Sequence, residues 1–186
     1  MKIKNLIPTM VITLLVMFNT GVFAQDTKMV GGAEMFPTKD IVSNAVNSKD
    51  HTTLVAAVKA AGLVETLQGD GPFTVFAPTN SAFDKLPKGT VSTLLKKENK
   101  EQLQAVLTYH VLSGNYSAKA IAKAIKKGGG KATFTTVNGD ELTAMMDGDN
   151  IVLKDTSGNR STITIADVNQ SNGVIHVVDT VVLPKM

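Results

Sequence analysis

The apolar positions change period along this chain. Between about residues 40 and 127 they mostly recur every three to four residues, and from 131 onward they alternate or run together in short blocks. "TKDIVSNAV" (38–46) predicts a short helix with Asp40 as N-cap, because a carboxylate there accepts from the free amides of the first turn. In "HTTLVAAVKAAGL" (51–63), Leu54, Ala57, Val58 and Ala61 share one helix face, and Gly62 supplies the stop. "TVSTLLKKE" (90–98) and "NKEQLQAVLTYHVL" (99–112) predict two more helices, the second with Leu103, Val106, Leu107 and His110 on one face. "SAKAIAKAIKKGGG" (117–130) is amphipathic: Ile121, Ala124 and Ile125 face inward, Lys119, Lys123 and Lys127 face water, and three glycines end it.

One strand interrupts the helical half. "GPFTVFAPTNSAFDKLP" (71–87) opens as an apolar strand and breaks at Pro78, which has no amide to give a sheet ladder. Thr79 or Asn80 can then cap a helix that carries Phe83 and Leu86 inward, and Pro87 and Gly89 stop it. From 131 the strand-like pieces are "ATFTTV", "ELTAMM", "NIVLKDT", "STITIADV" and "GVIHVVDTVVL", separated by the turns "NGD", "DGDN" and "SGN". The last is apolar on both faces, with Val174, Val178 and Val182 on one and Ile175, Val177, Val181 and Leu183 on the other. It belongs inside the core. Helices followed by hairpins, with one early strand, indicate an α+β domain.

Composition refines this picture at the N-terminus. Lys2 and Lys4, the apolar run that follows, and Val22 and Ala24 before Gln25 have the form of a secretory signal peptide over residues 1–24. Asn19, Thr20 and Gly21 interrupt the run and argue against a membrane span. No Cys lies at the cut to carry a lipid, and no second apolar span follows, so no membrane insertion is expected after signal removal. The expected location is extracellular, or periplasmic in a Gram-negative cell. The formal charge of +3 loses two lysines with the signal and becomes +1. No strongly basic domain is left to suggest a nucleic-acid partner. Residues 25–37 read as an exposed, flexible leader and 38–184 as one domain. The chain of 186 residues has no Cys, so packing alone must stabilise it.

The motifs also resemble a known family. "FTVFAPTNSAFDKLP" resembles the first signature of the fasciclin domain, "LTYHVLSG" its central Tyr-His motif, and "TITIADVNQSNGVIHVVDTVVLP" its C-terminal signature. They occur in the family's order over about 38–184. The resemblance implies a β-sandwich wedge with helices packed along it, and a secreted or surface-attached adhesion module. It marks Thr79, Asn80, Phe83, Gly173 and His176 as structural motif residues. It also implies partner binding at Tyr109 and His110, and at Asp167 and Val168, where animal members carry an Asp-Ile pair linked to integrin binding.

The residues themselves support plainer readings beside these. His110 continues an apolar helix face, as a buried histidine fixing the helix end would. His176 fits a satisfied core histidine, and Asp167 a turn residue bonding its own backbone. His51 begins a helix and is expected to be exposed. The three histidines lack the spacing of a zinc site, and "DGDN" lacks the Glu of an EF-hand loop, so neither a metal nor another cofactor is implied. Lys119, Lys123, Lys126 and Lys127 on one helix, with Lys96, Lys97 and Lys100 on another, offer anionic polysaccharide a weak attraction. Asn115, Asn159 and Asn169 have the form of glycosylation acceptors.

The G-x-S-x-G, P-loop and G-x-G-x-x-G patterns are missing, so no enzyme is indicated. The expected function is a non-catalytic binding module for extracellular matrix, a cell-surface protein or polysaccharide. Two alternatives stand beside it. A small-ligand carrier needs an apolar pocket between helices and sheet. A hydrolase with a non-sequential site needs His110 or His176 beside a Ser or Asp in an open cleft.

Overall fold

The computed structural model of the protein describes residues 27–185. The expected signal peptide lies outside them. The chain begins with a hairpin of β1 (Lys28–Val30) and β2 (Ala33–Met35). Val30 and Met35 are buried there, so most of the segment read as an exposed leader is packed onto the domain. Two three-residue strands are too short to show a period in sequence.

The first half then carries α1 (Ile41–Ala45), α2 (Thr52–Ala61), α3 (Val64–Gln68), β3 (Phe73–Pro78), α4 (Asn80–Asp84), α5 (Thr90–Leu94), α6 (Lys100–Tyr109) and β4 (Val111–Ser113). The second half carries α7 (Ala118–Lys127), β5 (Lys131–Thr135), β6 (Glu141–Asp147), β7 (Asn150–Lys154), β8 (Arg160–Gln170) and β9 (Gly173–Val178). Local signals explain several ends. The Asp40 carboxylate accepts from the Ser43 amide, Gly62 takes the left-handed conformation that closes α2, and Ser117 caps α7. α6 ends at Tyr109, earlier than its apolar face suggested, because the chain turns at His110 into β4.

Seven strands form one mixed sheet in the order β4-β3-β9-β8-β7-β6-β5. Only β3 and β9 are parallel. The eleven-residue β8 pairs with β7 through residues 160–162 and with β9 through 163–170. Its register shifts between Ile163 and Val168, and Asp167 has a φ of 55°, so β8 bends where it passes from one partner to the other.

The central strands feed two cores with alternate residues. Val75, Ala77, Ile175 and Val177 face the core under α1, α2 and α6, whereas Phe76 and Val178 join Ile121 and Ile125 of α7 in the other. This explains the run apolar on both faces. β9 stops at Val178, however, so 179–183 is not the strand the pattern predicted. Val181 and Val182 still enter opposite cores, but the Val182 and Leu183 amides bond to side chains rather than to a neighbouring strand.

Candidate functional site

The corner after β3 is built by two residues with different duties. Thr79 is the N-cap of α4, its hydroxyl accepting from the Ala82 amide, while Phe83 packs inward. Asn80 looks away from its own helix. Its Oδ1 accepts from the Thr53 amide at 3.0 Å, in the first turn of α2, and its Nδ2 donates to the Lys49 carbonyl at 2.8 Å. Asn80 therefore supplies α2 with a cap from outside. Asn80→Ala is expected to cost about 1 kcal/mol, the usual worth of such a cap. Faster amide exchange at Thr53, with that at Ala82 unchanged, would check the assignment.

Tyr109 and His110 lie where α6 meets the second core. Tyr109 is fully buried and its hydroxyl donates to the Glu141 carbonyl at 2.8 Å. Burial pushes its pKa up to about 12. The Val182 amide donates to His110 Nε2 at 3.2 Å, so the proton sits on Nδ1, which donates to the Val106 carbonyl at 2.8 Å. Burial lowers the His110 pKa to about 4, against the opposing pull of the Val106 carbonyl. The imidazole ties the end of α6 to the C-terminal segment.

His176 repeats the device with the other tautomer. Its Nδ1 accepts from the Asp167 amide at 3.2 Å, and Nε2–H donates to the Tyr116 carbonyl at 2.8 Å. The ring is fully buried and stacks on Phe76, and burial again lowers its pKa. Asp167, half-buried on the bend of β8, accepts from the Ala118 amide at the start of α7 at 2.7 Å. Val168 beside it is buried. Gly173 begins β9 so close to β3 that a Cβ would stand 2.0 Å from the Phe73 carbonyl oxygen. Tyr109 with His110, and Asp167 with His176, thus form two separate clamps, each holding a helix end to the sheet region.

His51 differs from its expectation. It is buried, its Nδ1 shares a hydrogen bond with Ser48 Oγ at 2.9 Å, and Nε2 lacks a partner. The β1–β2 hairpin covers it, since Val30 and Met35 line the small space beside the ring. A hydrolase needed His110 or His176 beside a Ser or Asp in an open cleft. His176 is fully buried, and His110, nearly so, borders an apolar cleft whose lining holds no Ser or Asp.

Two further polar residues organise the region without any clear signal in the sequence. Asp155 is buried. Its carboxylate accepts from the Ser157 and Asn159 amides, the Asn159 side-chain amide and, at 3.0 Å, the Leu183 amide. Asn172 accepts from the Ile41 amide at 3.1 Å and donates to the Leu67 and Gly69 carbonyls, both at 2.9 Å. "KDTSGN" and "QSNG" mark both places as turns, but a turn signal does not name a partner far away in the chain.

What remains accessible is a cationic face and an apolar cleft. Lys119, Lys123, Lys126 and Lys127 are exposed on α7, which contains no acidic residue. Lys96, Lys97 and Lys100 lie before and at the start of α6, which packs on α2 rather than on the α7 side. The cleft is a cavity of about 70 Å³ between α1, α2 and α3 on one side and β3, β4 and the end of α6 on the other. Among the described residues, no group of three or more His, Cys, Asp or Glu is placed to hold a metal ion. No described helix is long and apolar enough to cross a membrane.

This architecture and its motifs have known relatives. The Fasciclin domain family model matches residues 49–184. The chain is 47% identical over 146 residues to Protein sll1483 of Synechocystis sp., spanning 78% of this chain and 74% of that one. It is 31% identical over 166 residues to the cell surface glycolipoprotein MPB83 of Mycobacterium bovis, spanning 87% and 68%. Human periostin is 33% identical over 135 residues, 73% of this chain but 15% of periostin. The solved FAS1 domain pair of the insect cell adhesion molecule Fasciclin I superposes with a TM-score of 0.70 at 18% identity, covering 80% of this chain and 52% of that one. The mixed sheet with flanking helices is therefore the FAS1 fold, and the chain belongs to the fasciclin domain family.

Proposed function

We propose that the protein is an exported adhesion module that binds an anionic polysaccharide or other negatively charged cell-surface or matrix component through α7. The observation that carries this reading is the row of exposed lysines on a helix with no acid to neutralise it. Family membership supports it, since fasciclin homologues are adhesion modules. In this reading Tyr109, His110, Asp167 and Val168 act on the partner indirectly. Their hydrogen bonds and packing hold α7 and the C-terminal segment in place, so they shape the surface without touching the ligand. The cell surface glycolipoprotein suggests a surface setting, where such polyanions are available as partners.

Single lysine contacts at a surface are weak, so useful adhesion would come from many copies engaging one polymer. Binding to immobilised dextran sulfate is expected at low ionic strength. It should weaken as salt rises from about 0.01 to 0.15 M, which shortens the screening length from about 30 to 8 Å. Replacing Lys119, Lys123, Lys126 and Lys127 with Gln should abolish it without lowering the melting temperature. Binding that survives in the folded quadruple variant would remove α7 from the reading.

A further inference from the structure

We infer that the cleft between the α1–α3 helices and the β3–β4 edge of the sheet is a binding site for a small amphiphile, a short apolar chain ending in a carboxylate. This site is independent of the adhesive reading, because α7 packs on the opposite core.

The cavity is lined almost wholly by apolar groups. Val42, Val58 and Leu67 wall it from the helices, and Phe73, Val75 and Val111 from the sheet. Its volume of about 70 Å³ is roughly half that of a dry cavity able to hold a benzene ring. It therefore takes the end of an alkyl chain, not a whole drug-sized molecule. Water gains little in such a space, which offers it almost no hydrogen-bond partner.

The rim indicates how the rest of the ligand lies. Val137 lines the opening and is 47% exposed, so it offers apolar surface at the rim of the cleft. It is held there by its amide, which donates to the Val111 carbonyl at 2.8 Å. Val55, half-buried, lines the cleft from α2. An alkyl chain leaving the cavity would cover such apolar rim surface. Lys59 is the one charged side chain of the lining, is exposed, and takes part in neither of the two ion pairs found among the described residues. A long aliphatic stem along an apolar wall with a free charge at its tip is the complement of a carboxylate on an alkyl chain.

The test uses decanoate and decanol, each below its aggregation limit, titrated into the purified protein and followed by amide chemical shifts. Decanoate is expected to bind saturably and to shift Val58, Leu67, Phe73 and Val111. Decanol should bind the same residues about three- to fivefold more weakly, the scale of one exposed charge pair. Lys59→Met should bring decanoate down to the decanol level. Ala45→Leu, which adds bulk at the α1 wall, should abolish both while the protein still melts cooperatively. Should Ala45→Leu prove unfolded, Val55→Phe serves the same purpose from the α2 wall. Equal affinity for decanoate and decanol would overturn the carboxylate specificity. Shifts confined to other surfaces, or no saturable binding of either probe, would overturn the site.

Discussion

Acidification from pH 7 to about 4.5 is expected to remove roughly 2–3 kcal/mol of folding stability through His110 alone. Its folded pKa is about 4, and the unfolded side chain titrates near 6.5. The unfolded chain therefore binds the extra proton first. The contribution is fully present above pH 6.5 and is lost as pH falls towards 4, at about 1.4 kcal/mol per unit across that window. Structure explains why the folded site resists protonation. Nε2 already accepts the Val182 amide, so a proton there would set donor against donor in a buried place. The Val106 carbonyl and, less strongly, the nearby Asp155 carboxylate favour the charged form, but burial outweighs both. His51 and His176 are shifted in the same direction by burial and add to the slope. Asp40 and Asp179 act elsewhere: their folded values lie below 3.8, so what they contribute is lost only at lower pH. Urea unfolding at a series of pH values would show this. A flat midpoint between pH 7 and 4.5 would contradict the buried neutral imidazole. His110→Gln should flatten part of the slope while lowering stability at pH 7.

Asp155→Ala is expected to cost about 3–4 kcal/mol, a large share of the 5–15 kcal/mol of a typical domain. The carboxylate receives four hydrogen bonds, three of them from backbone amides. Removing it leaves amides in a turn and at Leu183 without acceptors, at about 1–3 kcal/mol for each one that stays buried. The loss should propagate to the neighbouring bond, because Leu183 follows Val182 and a loosened segment withdraws the amide from His110. Amide exchange provides a specific readout: Val182 and Leu183 should lose protection before the β3–β9 pair does. Equal loss throughout would mean that Asp155 supports the whole fold rather than this strap.

Much of the fold was legible because its cause is local. The apolar face of α2, its Gly62 stop, the Asp40 cap and the two inward isoleucines of α7 depend on neighbours within a turn or two. The central place of β9 was legible because a strand covered on both faces must be apolar on both. What escaped depends on contacts across the chain. His51 reads as a surface residue until the β1–β2 hairpin is laid over it. Asn80 reads as the cap of its own helix, yet its acceptor serves Thr53, 27 residues earlier. The last apolar run reads as strand to Leu183, and only His110 and Asp155 reveal that its amides go to side chains. The cleft is hidden for a related reason. Each of its lining residues reads as ordinary core within its own element, and the gap exists only between elements.

The parallel pairing of β3 with β9 has a consequence in time. Phe73 lies opposite Gly173, so the innermost ladder joins positions separated by 100 residues of chain. Until the final strand has left the ribosome, β3 has only the three-residue β4 beside it, and neither core can close. Such distant pairing makes folding slow and nearly all-or-none. A chain in which β9 has not yet been made is therefore held in an unlocked state, and β9 acts as the latch.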